Sequence, residues 1–198
     1  IAGTDATIGY YTAIETAVDS IDKVRDTADA FERLFLVEVM GRHAGFLALS
    51  AAVASASDFV ILPESFVSQA KVLEDIQQHL TLKRDNNGHV SYVIVVAENV
   101  WPGGLNDLVS QLANTTQSEV RPVILGHVQR GGSPVSQDRI LATTLGVGAV
   151  EAIHRGATGI MIGEQHGRAV DILLEKTWKS EKPLPKQLLD AMKTAREQ

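Results

Sequence analysis

Short apolar runs alternate along the chain with longer stretches whose apolar positions recur every three or four residues. Across residues 7–28, Ile8, Tyr11, Ile14, Ala17, Val18 and Ile21 keep that helical spacing, which predicts an amphipathic helix. Leu34–Val39 is short and apolar and predicts a buried strand. Residues 46–56, rich in Ala and Leu, predict a helix. A second strand is expected at 58–62, stopped by Pro63, which disfavours continuation. Residues 68–83 read as a polar amphipathic helix, and Asp85-Asn86-Asn87-Gly88 as a turn. A strand at Tyr92–Ala97, a helix at 105–113 and a strand at 122–125 follow. Ser136–His154 predicts a long helix with Ser136 as N-cap. A strand at 159–162 and a closing helix at 187–196, after the Pro183 and Pro185 break, complete the pattern.

Strands separated by helices imply parallel pairing and crossover connections, hence an α/β fold. The strands are apolar throughout rather than alternating, as expected when both sheet faces are covered. Ligands of such sheets bind outside the carboxyl ends of the strands. The loops after Val39, Leu62, Ala97 and Leu125 are therefore where chemistry is sought.

Composition narrows the chemistry. The chain has 198 residues, 44% hydrophobic and 21% charged, ordinary for a globular protein. No apolar run reaches the ~18 residues of a membrane span, and the start lacks the features of a secretory leader. Cysteine is absent, which excludes disulfides and thiolate catalysis and fits a cytoplasmic location. The net charge of -6 argues against nucleic acid as a partner. An acidic chain that binds an anion must gather its cations in one place. The chain begins at Ile1 rather than Met, so a piece of a longer protein is expected.

Three of the four loops hold unusual residues. Met40-Gly41-Arg42-His43-Ala44-Gly45 precedes a helix. Glycines allow close backbone approach, a helix N-terminus offers free N–H groups, and Arg adds a charged fork, which together suit a phosphate. The plainer reading is a helix cap with a solvated Arg. Glu98, after the third strand, suits acceptance from sugar hydroxyls or pairing with an Arg. The densest signal is Gly126-His127-Val128-Gln129-Arg130-Gly131-Gly132-Ser133-Pro134, where His127 and Arg130 are donors fitted to a phosphate. A surface turn capped by His127 is the plainer alternative. His79, His89, His154 and His166 lack metal-ligand spacing. Nucleophile-elbow and Walker patterns are missing. Trp101 and Trp178 read as packing residues.

In this order, Gly3-Thr4-Asp5-Ala6-Thr7-Ile8-Gly9, Val37-Glu38-Val39-Met40-Gly41-Arg42, and Leu125 to Pro134 with Asp138-Arg139-Ile140-Leu141-Ala142 resemble bacterial ATP-dependent 6-phosphofructokinase. The likeness runs from residue 1 to about residue 175. It implies Rossmann-like subdomains of the phosphofructokinase fold, truncated here. It also implies phosphoryl transfer from ATP to the 1-hydroxyl of fructose 6-phosphate, with Mg2+, in a cytoplasmic homotetramer. By the resemblance, Met40, Gly41 and Arg42 line the sugar-phosphate site, with Arg42 placed at the reaction centre. Glu98 accepts from sugar hydroxyls, and His127 and Arg130 hold the sugar and its 6-phosphate. Arg33 and Arg121 match arginines that reach the phosphate of a neighbouring subunit. Arg25 and Asp58 match an effector-nucleotide site, whose expected basic residues are replaced by Asn87, Gly88 and His89. The general base, the metal ligand and the Gly-rich donor loops are expected upstream of Ile1.

The resemblance assigns residues 10–128 to a fructose 6-phosphate subdomain. It assigns 129–183 to a segment returning to the sheet of the ATP-binding subdomain, and 184–198 to a C-terminal helix. A fragment inactive by itself is expected. The alternative is a non-catalytic phosphosugar-binding module of a duplicated phosphofructokinase; the full set Met40, Arg42, Glu98, His127 and Arg130 favours a catalytic origin.

Overall fold

The computed structural model describes residues 1–28, 33–87 and 91–196. The elements in chain order are α1 (Tyr10–Ala28), β1 (Leu34–Val39), α2 (Phe46–Ala54), β2 (Phe59–Ile61), α3 (Gln69–Asn87), β3 (Tyr92–Ala97), α4 (Leu105–Thr116) and β4 (Val120–Ile124). They continue with α5 (Ser136–His154), β5 (Ile160–Gln165), β6 (Arg168–Leu173), α6 (Leu174–Lys179) and α7 (Lys186–Arg196). Two compact units divide the chain: Ile1–Ala13 with Gly132–Pro183, and Ile14–Gly131 with Leu184–Gln198.

In the larger unit, β1 to β4 form one parallel sheet in the order β2-β3-β1-β4. Every residue of β3 is buried, and every residue of β1 except Glu38, so both faces of these strands are covered, as their unbroken apolar runs predict. Leu36, Val37, Ile94, Val95, Leu108 and Leu112 are fully buried. Each such side chain contributes about 1.5–3 kcal/mol on removal from water. α2 is lined by Ala48, Leu49, Ala51 and Ala52, and Met192 of α7 is buried in the same core. β4 departs from the expectation of full coverage. It is an edge strand, and Arg121, Pro122 and Ile124 are exposed. An edge position tolerates the missing N–H of Pro122.

In the smaller unit, β5 and β6 pair antiparallel. The sequence pattern predicts a single strand there, in a parallel setting. His166 and Gly167, with φ of 52° and 75°, make a two-residue hairpin turn of the kind that matches strand twist. The polar alternation of β6, Arg-Ala-Val-Asp-Ile-Leu, conceals it from a search for apolar runs. Asp138 of α5 is 2% exposed and accepts from the Gly9 and Thr12 amides at 2.9 and 2.7 Å. This carboxylate caps α1, a contact that typically stabilises a helix by about 1 kcal/mol. α1 therefore starts at Tyr10 rather than residue 7, and Ile8 is 53% exposed instead of lying on the apolar face. Ala13, Ala17 and Ile21 form the buried face.

α3 runs through Asp85, Asn86 and Asn87, where a turn is predicted. Lys83 pairs with Asp58, and Arg84 Nη2 donates to Ser118 Oγ at 2.8 Å, so its last turns are anchored. Those contacts offset the low helix propensity of Asp and Asn, under about 0.7 kcal/mol per residue. Trp101 is a packing residue as expected, buried edge-on against Phe66 with its Nε1 donating to Asp107 at 2.9 Å. Trp178, expected to pack likewise, is 67% exposed. Among the described residues, no helix is long and apolar enough to cross a membrane.

Candidate functional site

The strand order decides which loops meet. β3, β1 and β4 are consecutive in the sheet, so the loops after Ala97, Val39 and Ile124 emerge side by side. Glu98 opens the first, Met40-Gly41-Arg42 the second, and the helical turn Gly126–Arg130 the third.

Backbone hydrogen bonds continue the ladder into these loops. Glu98 N donates to Val39 O at 2.9 Å, and Leu125 N to Glu38 O at 3.1 Å. The Glu98 side chain then turns back, and its Oε1 accepts from the amides of Gly41 at 2.9 Å and Arg42 at 2.5 Å. Asn99 Nδ2 donates to Arg42 O at 3.1 Å. Arg42 has φ of 61°, a left-handed conformation that these contacts hold in place. At Gly41 a Cβ would come within 2.3 Å of Ala44 O, so the tight turn requires glycine. From the other side, Gln129 Oε1 accepts from the Met40 amide at 2.8 Å. The loop is thus clamped between the ends of β3 and β4.

One expectation about this loop changes. Its N–H groups are read from sequence as free for an anion, yet those of Gly41 and Arg42 are taken by Glu98. The amide of Gly45, at the start of α2, donates to Glu64 at 2.8 and 3.1 Å. Glu64 lies in the loop after β2, which the sequence reading passed over. Internal carboxylates occupy three of the amides assigned to a phosphate, which shifts the expected anion contacts towards side chains. Those side chains are available. Arg42, His127 and Arg130 are exposed, and among the described residues none of their side chains has a hydrogen-bond or ion-pair partner. Glu98 Oε2 is likewise without a partner among the described residues, leaving lone pairs for hydroxyl donors.

Glu38, next to last in β1, is half-buried, and its carboxyl is raised above the ordinary value of 4.5, chiefly by burial and then by the Glu98 charge. The folded chain therefore holds this proton more tightly than the unfolded one. The group's contribution to stability is full below pH 4.5 and is lost as pH rises through the folded value. Glu38→Gln is expected to raise the thermal unfolding midpoint at pH 7 to 8, with the gain vanishing near pH 4. A difference from wild type that does not vary with pH would refute this.

Arg33 and Arg121 lie at the amino ends of β1 and β4, away from these loops along their strands. Glu119, unmarked in the sequence reading, links them: Arg33 Nε donates to its Oε2 at 2.8 Å, and Arg121 pairs with its Oε1. The bond from Arg33, ahead of that from Arg121, lowers the Glu119 carboxyl below its ordinary value. Arg25 and Asp58 come to one neighbourhood, but both are engaged. Arg25 Nη2 donates to the Ser55 and Ala56 carbonyls at 2.5 and 3.1 Å. Asp58 pairs with Lys83 and accepts from the Val93 amide at 2.7 Å. Gly88 and His89 lie outside the described residues, as does the side chain of Asn87. The described residues contain no group of three or more His, Cys, Asp or Glu that could hold a metal ion.

Residues 1–153 match the phosphofructokinase family. The chain is 43% identical over 187 residues to ATP-dependent 6-phosphofructokinase 1 of Thermus thermophilus, covering 94% of the chain and 56% of the relative. It is 44% identical over 192 residues to ATP-dependent 6-phosphofructokinase 2 of Bacteroides thetaiotaomicron, covering 96% and 57%. It superposes on the phosphofructokinase of Saccharomyces cerevisiae with a TM-score of 0.83 at 32% identity, covering 98% of the chain and 26% of that one. The chain thus spans little more than half the length of the curated relatives it matches. With an α/β parallel sheet and ordered loop motifs that match over most of its length, this chain belongs to the phosphofructokinase family.

Proposed function

We propose that this chain is the sugar-phosphate half of a 6-phosphofructokinase, whose full-length form transfers phosphoryl from ATP to fructose 6-phosphate in glycolysis. The observation that supports it most is the convergence of Arg42, His127, Arg130 and the open Oε2 of Glu98 at the carboxyl ends of three adjacent strands. Cationic donors suit a phosphate, and a carboxylate with spare lone pairs suits sugar hydroxyls. Met40 and Gly41 shape the wall between them. Arg42, nearest the expected reaction centre, is proposed to neutralise charge as the phosphoryl group passes.

Phosphoryl transfer depends mainly on positioning and charge neutralisation. In this reading, the base that takes the hydroxyl proton, the Mg2+ ligand and the ATP loops belong to other parts of the parent chain. Residues 129–183 return to the sheet of that donor half, and 184–198 cross back over the sugar half. Subunits assemble as a cytoplasmic homotetramer in which Arg33 and Arg121 serve a neighbour's pocket. The exposed edge strand β4, which bears Arg121, supports that assignment. Arg25 and Asp58, already satisfied internally, favour weak binding of an effector nucleotide.

A coupled assay for fructose 1,6-bisphosphate tests the proposal. The full-length parent is expected to turn over with ATP, and the 198-residue chain alone to give none. Turnover by the isolated chain, or a parent that accepts pyrophosphate in place of ATP, would contradict it.

A further inference from the structure

The turn Gly126–Arg130 presents His127 and Arg130 to solvent, but its fourth residue, Gln129, is only 2% exposed. Its Oε1 accepts from the Met40 amide at 2.8 Å, and this contact fixes which end of the side-chain amide is oxygen. Nε2 is then buried with no hydrogen-bond partner among the described residues. A buried donor without an acceptor is costly, and an apolar side chain of similar size would remove the cost. What the amide supplies in return is one bond between two loops. It ties the first residue of Met40-Gly41-Arg42 to the turn that holds His127 and Arg130, across the neighbouring strands β1 and β4. Glu98 holds the same loop from the β3 side.

We infer that Gln129 is a positioning residue of the sugar-phosphate site: it sets the spacing between Arg42 on one loop and His127 and Arg130 on the other. The inference rests on the proposed function of that site. Being buried, Gln129 acts through its neighbours and not by touching the sugar. Its loss disturbs the sugar-phosphate pocket and leaves the nucleotide side alone, which separates positioning from a general role in stability.

The test uses the full-length parent with Gln129→Met, Arg130→Ala and the double variant. Met keeps the length and volume of Gln but cannot accept from the Met40 amide. The variant is expected to raise the KM for fructose 6-phosphate about three- to tenfold, the scale of one neutral hydrogen bond. The KM for ATP is expected to stay at the wild-type value, and the melting temperature to shift little, because removal of the unpaired Nε2 offsets the loss of an acceptor for the Met40 amide. In the Arg130→Ala background the same change is expected to add less, because coupled residues are not additive. Should Gln129→Met fail to fold, Gln129→Asn, whose shorter arm breaks the same bond, is expected to show the same selective rise. A folded variant with unchanged sugar KM, a parallel rise in both KM values, or full additivity with Arg130→Ala would overturn the inference alone. No change in Arg130→Ala itself would overturn the reading of the site, and the inference with it.

Discussion

Arg121→Ala and Arg130→Ala, each placed in the full-length parent, are expected to be nearly inactive at low fructose 6-phosphate and to regain activity when reassembled together. The reason lies in the sheet. β1 has six residues and spans about 20 Å at roughly 3.3 Å per residue. Arg33 and Arg121 sit at the amino ends of β1 and β4, while Met40, Glu98 and Arg130 follow the carboxyl ends. Arg33 and Arg121 share Glu119 and so form a paired cationic unit at the far edge. In the proposed assembly, a second subunit related by a two-fold axis would bring that unit to the first subunit's loops. Losing one charge-assisted contact to the phosphate costs about 1.5–3 kcal/mol, or roughly 10- to 150-fold in affinity. In an equal mixture, random assortment about the two-fold axis returns both arginines to about a quarter of the pockets. Recovery of that order is expected. No recovery, in hybrids shown to have assembled, would mean that both arginines serve one subunit.

Much of the fold is legible in the sequence because the buried strands have unbroken apolar runs. β1 and β3 are read to the residue, and so are the bounds of α5, although its N-cap is Val135 and not Ser136. The hairpin β5–β6 escapes that reading because an exposed antiparallel strand such as Arg-Ala-Val-Asp-Ile-Leu has a polar face. The dipeptide His166-Gly167 is the one turn signal that the sequence offers there. Helix ends were set by distant carboxylates, Asp138 for α1 and Glu64 for α2, which local pattern does not show.

The site divides in the same way. Residues that project into solvent beside glycines, Arg42, His127 and Arg130, stand out in sequence. Those that build the site from behind do not. Gln129 sits within a motif quoted for its neighbours, and Glu119 looks like any surface acid until Arg33 and Arg121 are seen to share it. Glu98 reads in sequence as a sugar acceptor or an Arg partner, and in the structure one of its two oxygens holds the Met40-Gly41-Arg42 loop.

Arg130→Ala in the full-length parent, with KM measured separately for fructose 6-phosphate and ATP, tests the central claim most directly. Arg130 is exposed at the end of the Gly126–Arg130 turn, and no described group neutralises its charge. Its exposure means that truncation is expected to leave the fold intact. A guanidinium on a phosphate is a strong, charge-assisted contact. Its removal is expected to cost about 1.5–3 kcal/mol of sugar-phosphate binding, a rise of roughly 10- to 150-fold in that KM. The KM for ATP is expected to stay within about twofold, since a contact made to one ligand only does not change affinity for the other. Equal losses for both substrates, or a loss confined to ATP, would contradict a sugar-phosphate site at the carboxyl ends of β3, β1 and β4.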